Sequence, residues 1–223
     1  MAITDAGKLF ESQSTARVAT HTLGQAVKAG SLIVIGLGGV RNGSILNLAS
    51  ISDTRGNAWQ WEMFSSSYRA AGIAWCRTQA PMTTGDRITV TWNGTPSYAW
   101  KSGHAFEGAS ANPTDRDTRN GSSSSPSVSL GVSGSDWLTV ACMCLPYEYA
   151  VSATPLNSST SQDDNGATSS APWIELFSRN GTSGSTHTIG GSIGISVPYA
   201  IAGVSFPFEA MPAGRAVGAL IGV

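Results

Sequence analysis

The sequence predicts an all-β fold, an antiparallel, jelly-roll-like β-sandwich with an internal two-fold pseudo-repeat. Three observations predict it: hairpin-turn punctuation, short runs rich in β-branched and aromatic residues, and no sustained 3.6-residue period. Asn-Gly pairs begin at Asn42, Asn93, Asn120, Asn165 and Asn180. Such pairs supply the positive φ angles that tight hairpin turns need. Between the turns lie the strand candidates. Residues 31–37 read as a fully buried strand, and 87–92 alternates, with Ile88, Val90 and Trp92 on one face. Further strands are predicted over 17–23, 45–52, 58–65, 73–78, 99–106, 127–132, 137–144, 173–179, 186–189 and 199–208. Only residues 5–13 suggest a short helical turn.

The repeat is read from two echoes. The run Ala29-Gly30-Ser31-Leu32-Ile33-Val34 returns in looser form from Ser133 to Val140, a loop glycine leading into a buried strand. Tyr98-Ala99 followed by Phe106-Glu107 returns as Tyr199-Ala200 followed by Phe208-Glu209. An echo of this length fits a sandwich in which each half gives strands to both sheets. The organisation expected is an N-terminal arm (1–14), a sandwich domain (15–210) and an apolar C-terminal tail (211–223). Polar stretches at 112–126 and 157–170 are expected to be outward loops. In the tail, Val217, Leu220, Ile221 and Val223 would be exposed if it hung free. Burying each contributes roughly 1.5–3 kcal/mol, so they are the expected assembly interface.

Composition narrows the function. A chain of 223 residues holds one large domain or two small ones and buries about 70–75% of its unfolded surface. Charged residues make up 12%, about half the share common in globular proteins. Ser, Thr, Gly and Asn fill the gap, giving a neutral, hydrogen-bonding surface suited to packing against neighbours. A net charge of -1 with scattered basic residues removes the electrostatic basis for nucleic-acid binding. Cys76, Cys142 and Cys144 are expected as buried thiols of a protein folded in a reducing cytoplasm, with Cys142 and Cys144 on one strand face. No run of 18 apolar residues marks a membrane span, and residues 1–13 lack the apolar core of a signal peptide.

Catalytic patterns are few. Gly190-Gly191-Ser192-Ile193-Gly194 matches the nucleophile elbow, which works only at a sharp strand-to-helix turn. Here a strand is predicted to follow, and His21, His104 and His187 all precede Ser192, so the order serine, acid, histidine fails. Glycoside hydrolysis needs two carboxylates across a cleft, and nothing in the sequence pairs Glu62, Glu107, Glu175 or Glu209. Asp163-Asp164-Asn165-Gly166 lacks the alternating ligands of a calcium loop and reads as solvated. No phosphate loop and no metal-ligand spacing are present, so no enzyme, cofactor or metal is expected. Seven tryptophans, Trp59, Trp61, Trp75, Trp92, Trp100, Trp137 and Trp173, read chiefly as core. Exposed indoles would stack on sugars, so a carbohydrate-binding adhesin on the same scaffold is the first alternative. A cell-wall polysaccharide hydrolase is the second.

The series Ala29 to Val34, Asp53-Thr54-Arg55-Gly56-Asn57-Ala58-Trp59, Ile73-Ala74-Trp75-Cys76, Gly85 to Val90 and Ala105-Phe106-Glu107-Gly108 resembles a β-sandwich module of tailed-bacteriophage virion proteins. These are minor tail, minor capsid or decoration proteins, and some bacterial surface proteins carry related modules. The resemblance spans residues 15–208 and is weaker in the later half. Its most specific piece is the turn in which Asp53, Gly56 and Asn57 build the bend and Trp59 anchors it in the core. What the resemblance implies is a non-enzymatic structural protein of the virion surface, acting in particle assembly and host attachment. Its implied partners are copies of itself, trimers among the options, other virion proteins and a host surface glycan. It transfers no catalytic residue, and the tail after Met211 departs from it.

Overall fold

The computed structural model describes residues 2–66, 68–132, 136–145, 153–157, 159–164, 172, 174–182 and 184–209. The first half carries β1 (Thr4–Ser14), β2 (Val18–Thr22), β3 (Leu32–Val40), β4 (Leu48–Asp53), β5 (Gln60–Ser65), β6 (Ala70–Arg77), β7 (Arg87–Trp92) and β8 (Tyr98–Glu107). The second carries β9 (Asp115–Ser123), β10 (Ser127–Gly131), β11 (Trp137–Cys144), β12 (Thr154–Pro155), β13 (Thr160–Asp164), β14 (Ile174–Gly181), β15 (Thr186–Ser192) and β16 (Val197–Pro207). Every described pairing is antiparallel.

Each half builds its own pair of sheets. The first half forms a five-stranded sheet, β1-β8-β3-β6-β5, and a three-stranded sheet, β2-β7-β4. Adding eight to each strand number reproduces the second half, a five-stranded sheet β9-β16-β11-β14-β13 and a three-stranded sheet β10-β15-β12. The two-fold repeat is therefore a repeat of topology, and both sequence echoes land on equivalent strands, β3 with β11 and β8 with β16. The expectation that each half feeds both sheets of one sandwich is corrected. A strand pairs most readily with partners near it in sequence, and each half here has enough strands to close its own sandwich.

The two sandwiches stack back to back, giving four layers of three, five, five and three strands. One apolar cluster fills each sandwich. Ile33, Ile35, Leu37, Ile88, Val90 and Trp92 belong to the first, and Val128, Leu130, Met143, Phe177, Ile189 and Ile201 to the second. A third cluster joins the two five-stranded sheets through Leu32, Val34, Trp75, Phe106, Leu138, Val140, Leu176 and Phe206. The central sheets are thus covered on both faces, which is why β3 reads as an unbroken apolar run and β11 as one interrupted by Thr139, rather than as alternating strands.

The joint between sandwiches is close because β3 carries Gly36 and Gly38 where side chains would point at the other half. A Cβ on Gly38 would lie 2.4 Å from Ile174 Cγ2, and one on Gly36 2.9 Å from Leu176 Cδ1. Cys142 and Cys144, on the matching positions of β11, then reach across: Cys142 Sγ lies 3.4 Å from the Leu37 carbonyl oxygen. All three cysteines are free and buried, and burial pushes the Cys144 thiol up to about 12.

Twelve predicted strands are present, with ends shifted by up to a few residues. Four strands went unread. Residues 4–14, expected as an arm with a helical turn, form edge strand β1, whose two register shifts break the alternation. Residues 115–123 of the expected 112–126 loop form β9, and part of the expected 157–170 loop forms β13. The Asn-Gly pairs at Asn120 and Asn180 lie within strands, not turns. Gly181 has a packing reason, since a Cβ there would meet the Trp137 ring at 2.0 Å.

Gly38→Val should overpack the joint and lower stability by about 1–3 kcal/mol in urea denaturation. A variant as stable as the parent would show that the sheets do not depend on this approach.

Candidate functional site

The densest constellation of functional-type side chains lies at one edge of the joint, where β1 faces β13. The two bulges of β1 turn Lys8 and Glu11 toward the second sandwich, while β8 places Ser102 and His104 on that same face. Asp163 of β13 sits among them. Its Oδ2 accepts from the Ser102 hydroxyl and from His104 Nε2 at 2.8 Å, and its Oδ1 accepts from Lys8 Nζ at 2.8 Å. Lys8 Nζ also donates to Glu11 Oε2 at 3.0 Å, and Trp100 Nε1 donates to Glu11 Oε1 at 3.2 Å. Ser102 and His104 are buried.

Serine, histidine and aspartate meet here in an order unsuited to nucleophilic catalysis. A triad needs the imidazole between hydroxyl and carboxylate, so that nitrogen can take the serine proton. Here the carboxylate lies between, and both neighbours donate to it. Since a carboxylate only accepts, His104 Nε2 carries the hydrogen in this contact. Glu11 and Asp163 are the carboxylates brought near each other, with the Lys8 ammonium bound to both. Burial alone would raise the Asp163 carboxyl, but the hydrogen bonds from His104, Lys8 and Ser102 outweigh it and hold it below the usual carboxylate range. A glycosidase acid needs the opposite, a carboxyl held protonated at working pH. The cluster works as a latch between the two halves.

The expected solvated loop at Asp163 is corrected by this geometry: the Asp163 side chain is 9% exposed. Among the described residues no group of three or more His, Cys, Asp or Glu side chains could hold a metal ion. The other carboxylates singled out from sequence are dispersed. Glu107 pairs with Lys28 at 2.9 Å, Glu62 with Arg116 at 3.7 Å, and Glu209 with Arg77. Glu175 is buried on β14. The Glu62–Arg116 pair closes the far edge of the joint, where β5 faces β9, as Lys8–Asp163 closes the near one.

The remaining histidines are held apart in separate cores. His187 takes an Arg179 N–H on Nε2 at 2.7 Å and contacts Thr139 Oγ1 through Nδ1 at 2.9 Å. Burial, then the Arg179 charge, pushes it down to about 4. His21 stacks on Phe10, ring centroids 4.6 Å apart. Ser192 ends β15 and runs into a bend, and no helix follows among residues 193–209. Gly190 and Gly191 serve packing, since a Cβ on Gly190 would meet the Pro126 carbonyl oxygen at 2.1 Å and one on Gly191 the Ala153 Cβ at 2.6 Å, while Gly194 serves the bend with φ +74°.

The turn singled out by the resemblance is closed by its first residue. Asp53 Oδ1 accepts from the Arg55 and Asn57 backbone N–H groups at 2.7 and 3.3 Å. Its Oδ2 accepts from Asn57 Nδ2 at 3.2 Å and Trp59 Nε1 at 2.7 Å. Gly56 has φ +70°, a left-handed conformation that favours glycine. Asn57 is buried and Trp59 half-buried against the first core. Trp75, Trp92, Trp100 and Trp137 are core residues, whereas Trp61 is 41% exposed on edge strand β5, against the sequence expectation. The three-stranded sheet stops short of covering that edge. Trp173 and the expected interface residues Val217, Leu220, Ile221 and Val223 lie outside the described residues.

Sequence reasoning named His104 but missed Lys8, Glu11, Ser102 and Asp163 as its company. Lys8 and Asp163 are 155 residues apart, and no local pattern marks either. Comparison with known protein families, with characterised proteins and with solved structures finds no match.

Asp163→Ala should cost about 2–4 kcal/mol, because buried donors on Ser102 and His104 lose their acceptor. The pKa of Asp163 is lower folded than unfolded. Its stabilisation is therefore complete above the ordinary value of 3.8 and fades as pH falls through the lower folded value. Urea melts of parent and variant across that acid range should converge. Parallel pH profiles would rule out the latch.

Proposed function

We propose that the chain is a non-catalytic structural protein of a bacteriophage virion surface, a minor tail or capsid decoration protein, present as repeated copies. The observation that carries the reading is a four-layer block closed at both ends by sheets whose outer faces are rich in hydroxyls and poor in charge, with Arg87 of β7 on the first. On the outer face of β2-β7-β4, Thr20 and Thr89 pair through their hydroxyls at 3.0 Å. At the equivalent place on β10-β15-β12, Ser129 and Thr188 do the same at 2.9 Å. Surfaces of this kind lose little on desolvation against a neighbour, since few charges must be stripped of water. The virion setting comes from the resemblance of the 53–59 turn and its flanking strands. Docking is assigned to the apolar tail, with Val217, Leu220, Ile221 and Val223 as its contacts. Removing residues 211–223 should leave the melting temperature of the block unchanged and abolish incorporation into purified particles. Normal incorporation of the shortened chain would defeat the assignment of docking to the tail.

A second reading rests on Trp61. With Tyr68, 66% exposed at the β5–β6 turn, it gives the β5 edge two open aromatic rings. Rings of this kind stack on sugar faces, which suits a host-glycan adhesin. Under that reading, cell-wall oligosaccharides should quench tryptophan fluorescence, and Trp61→Ala should remove most of the quenching. Unchanged fluorescence across a glycan panel would leave the architectural role alone.

A further inference from the structure

Three side chains sink into the core of the first sandwich and leave a nitrogen without a hydrogen-bond partner among the described residues: Lys101 Nζ, His21 Nε2 and Trp92 Nε1. Lys101 is 0% exposed. It lies on β8 between Ala99 and Gly103, opposite Ser12 of β1 and Leu37 of β3. Alternation along β8 turns it to the face that carries Ala99 and Ala105, inside the first core. His21 reaches that core from β2, paired with Ile88, and Trp92 from β7. The imidazole is fixed there by Phe10, whose ring lies so close over β8 that a Cβ on Gly103 would meet it at 2.7 Å.

Among the described residues no carboxylate binds the ammonium. Besides His21, the titratable side chain in this core is the Cys76 thiol, which burial keeps neutral. Asp53 and Asp86 have their oxygens taken up elsewhere, the first by its own turn and the second by Thr54, Arg55 and Thr83. Glu11 faces the other way, held by Lys8 and Trp100. A buried cation with neither counter-charge nor acceptor is among the costliest arrangements in a protein interior. The Lys101 ammonium and the His21 ring lie close enough for the one charge to act on the other, and among the described residues neither orphaned nitrogen has an acceptor, so the ligand that fits is a small anion.

We propose that the core of the first sandwich is a binding site for a small monovalent inorganic anion such as chloride, held by the Lys101 ammonium with His21 as a further N–H donor. Burial pushes Lys101 down only to about 8, so at neutral pH it still carries its proton. Burial, then the Lys101 charge, pushes His21 down to about 4, leaving a neutral ring with one N–H to give.

The test compares sodium chloride with sodium gluconate at pH 7 and constant ionic strength. Chloride should raise the melting temperature of the full chain by a few degrees, saturably, as expected for a ligand of the native state. Lys101→Met should melt higher than the parent in gluconate and ignore chloride. Because that variant alters packing, the parent supplies an independent readout: the Lys101 Nζ titration followed by 15N NMR should shift to higher pH in chloride. Bromide in place of chloride should give an anomalous-scattering peak within hydrogen-bond distance of Nζ. Equal melting temperatures in the two salts, or a Lys101 titration indifferent to halide, would overturn the proposal.

Discussion

The closeness of β3 to the second sandwich is the constraint from which the architecture follows. Two five-stranded sheets can share a face only if their backbones approach to packing distance, and bulky residues along both central strands would hold them apart. Gly36 and Gly38 remove that bulk on one side, while Cys142 and Cys144 supply small polarisable groups on the other. The positions are equivalent in the repeat. Leu32 and Val34 correspond to Leu138 and Val140, and the glycines correspond to the thiols. With glycine on both strands the thiols that reach the Leu37 and Gly39 carbonyls would be lost, and with thiols on both the added atoms on β3 would collide with Leu176 and Ile174. Divergence at these few positions makes a pseudo-symmetric contact complementary. Interiors respond to changes of a single methylene, so small differences here set how the whole stack fits.

Polar groups seal what the apolar joint cannot. Where edge strands meet across the sandwiches, an ion pair closes each side, Lys8–Asp163 at β1 and β13 and Glu62–Arg116 at β5 and β9. The two are unequal. Arg116 and Glu62 are both partly exposed, and pairs of that kind contribute less than about 1 kcal/mol. The Asp163 side chain is 9% exposed and accepts from three residues, which fixes the relative position of the halves by geometry as well as charge. The same hydrogen bonds that make it a good latch make it a poor acid. A carboxylate saturated with donors has no tendency to hold a proton, and the serine beside it has no base.

What the sequence made legible depended on which physical signal each element carried. Central strands such as 137–144 and 87–92 were readable because burial demands β-branched and aromatic residues in runs or alternation. β1, β9 and β13 were not, because each is a sheet edge with at least one wet face and a polar sequence such as Asp115 to Ser123. Edge strands need little hydrophobicity, and bulges scramble what alternation remains. The turn at Asp53 was legible because all its bonds are local. The latch was not, since Lys8, Ser102, His104 and Asp163 become neighbours only after two sandwiches close on each other. Stacking itself left a trace that alternation analysis alone does not interpret. Strands buried on both faces point to a third layer beyond a single sandwich, and Leu32–Val40 carries no polar residue at all.

The repeat changes what kind of surface the protein offers. The inner faces of the two halves have diverged into complementary partners, whereas the outer faces have kept the same cross-strand hydroxyl pair at the same place, Thr20 with Thr89 and Ser129 with Thr188. Pressure to pack differs between the two. Inner faces must fit one particular partner, the other half, and each substitution there is matched by its neighbour. Outer faces are constrained only to remain ordered, low in charge and wet. A hydroxyl ladder meets all three conditions: it satisfies itself across strands when nothing is bound and can exchange those bonds with a neighbour's at little cost. A block with two like ends, each poor in charge, can make a similar contact twice. A single sandwich with one free hydroxyl-bearing face could make that contact only once.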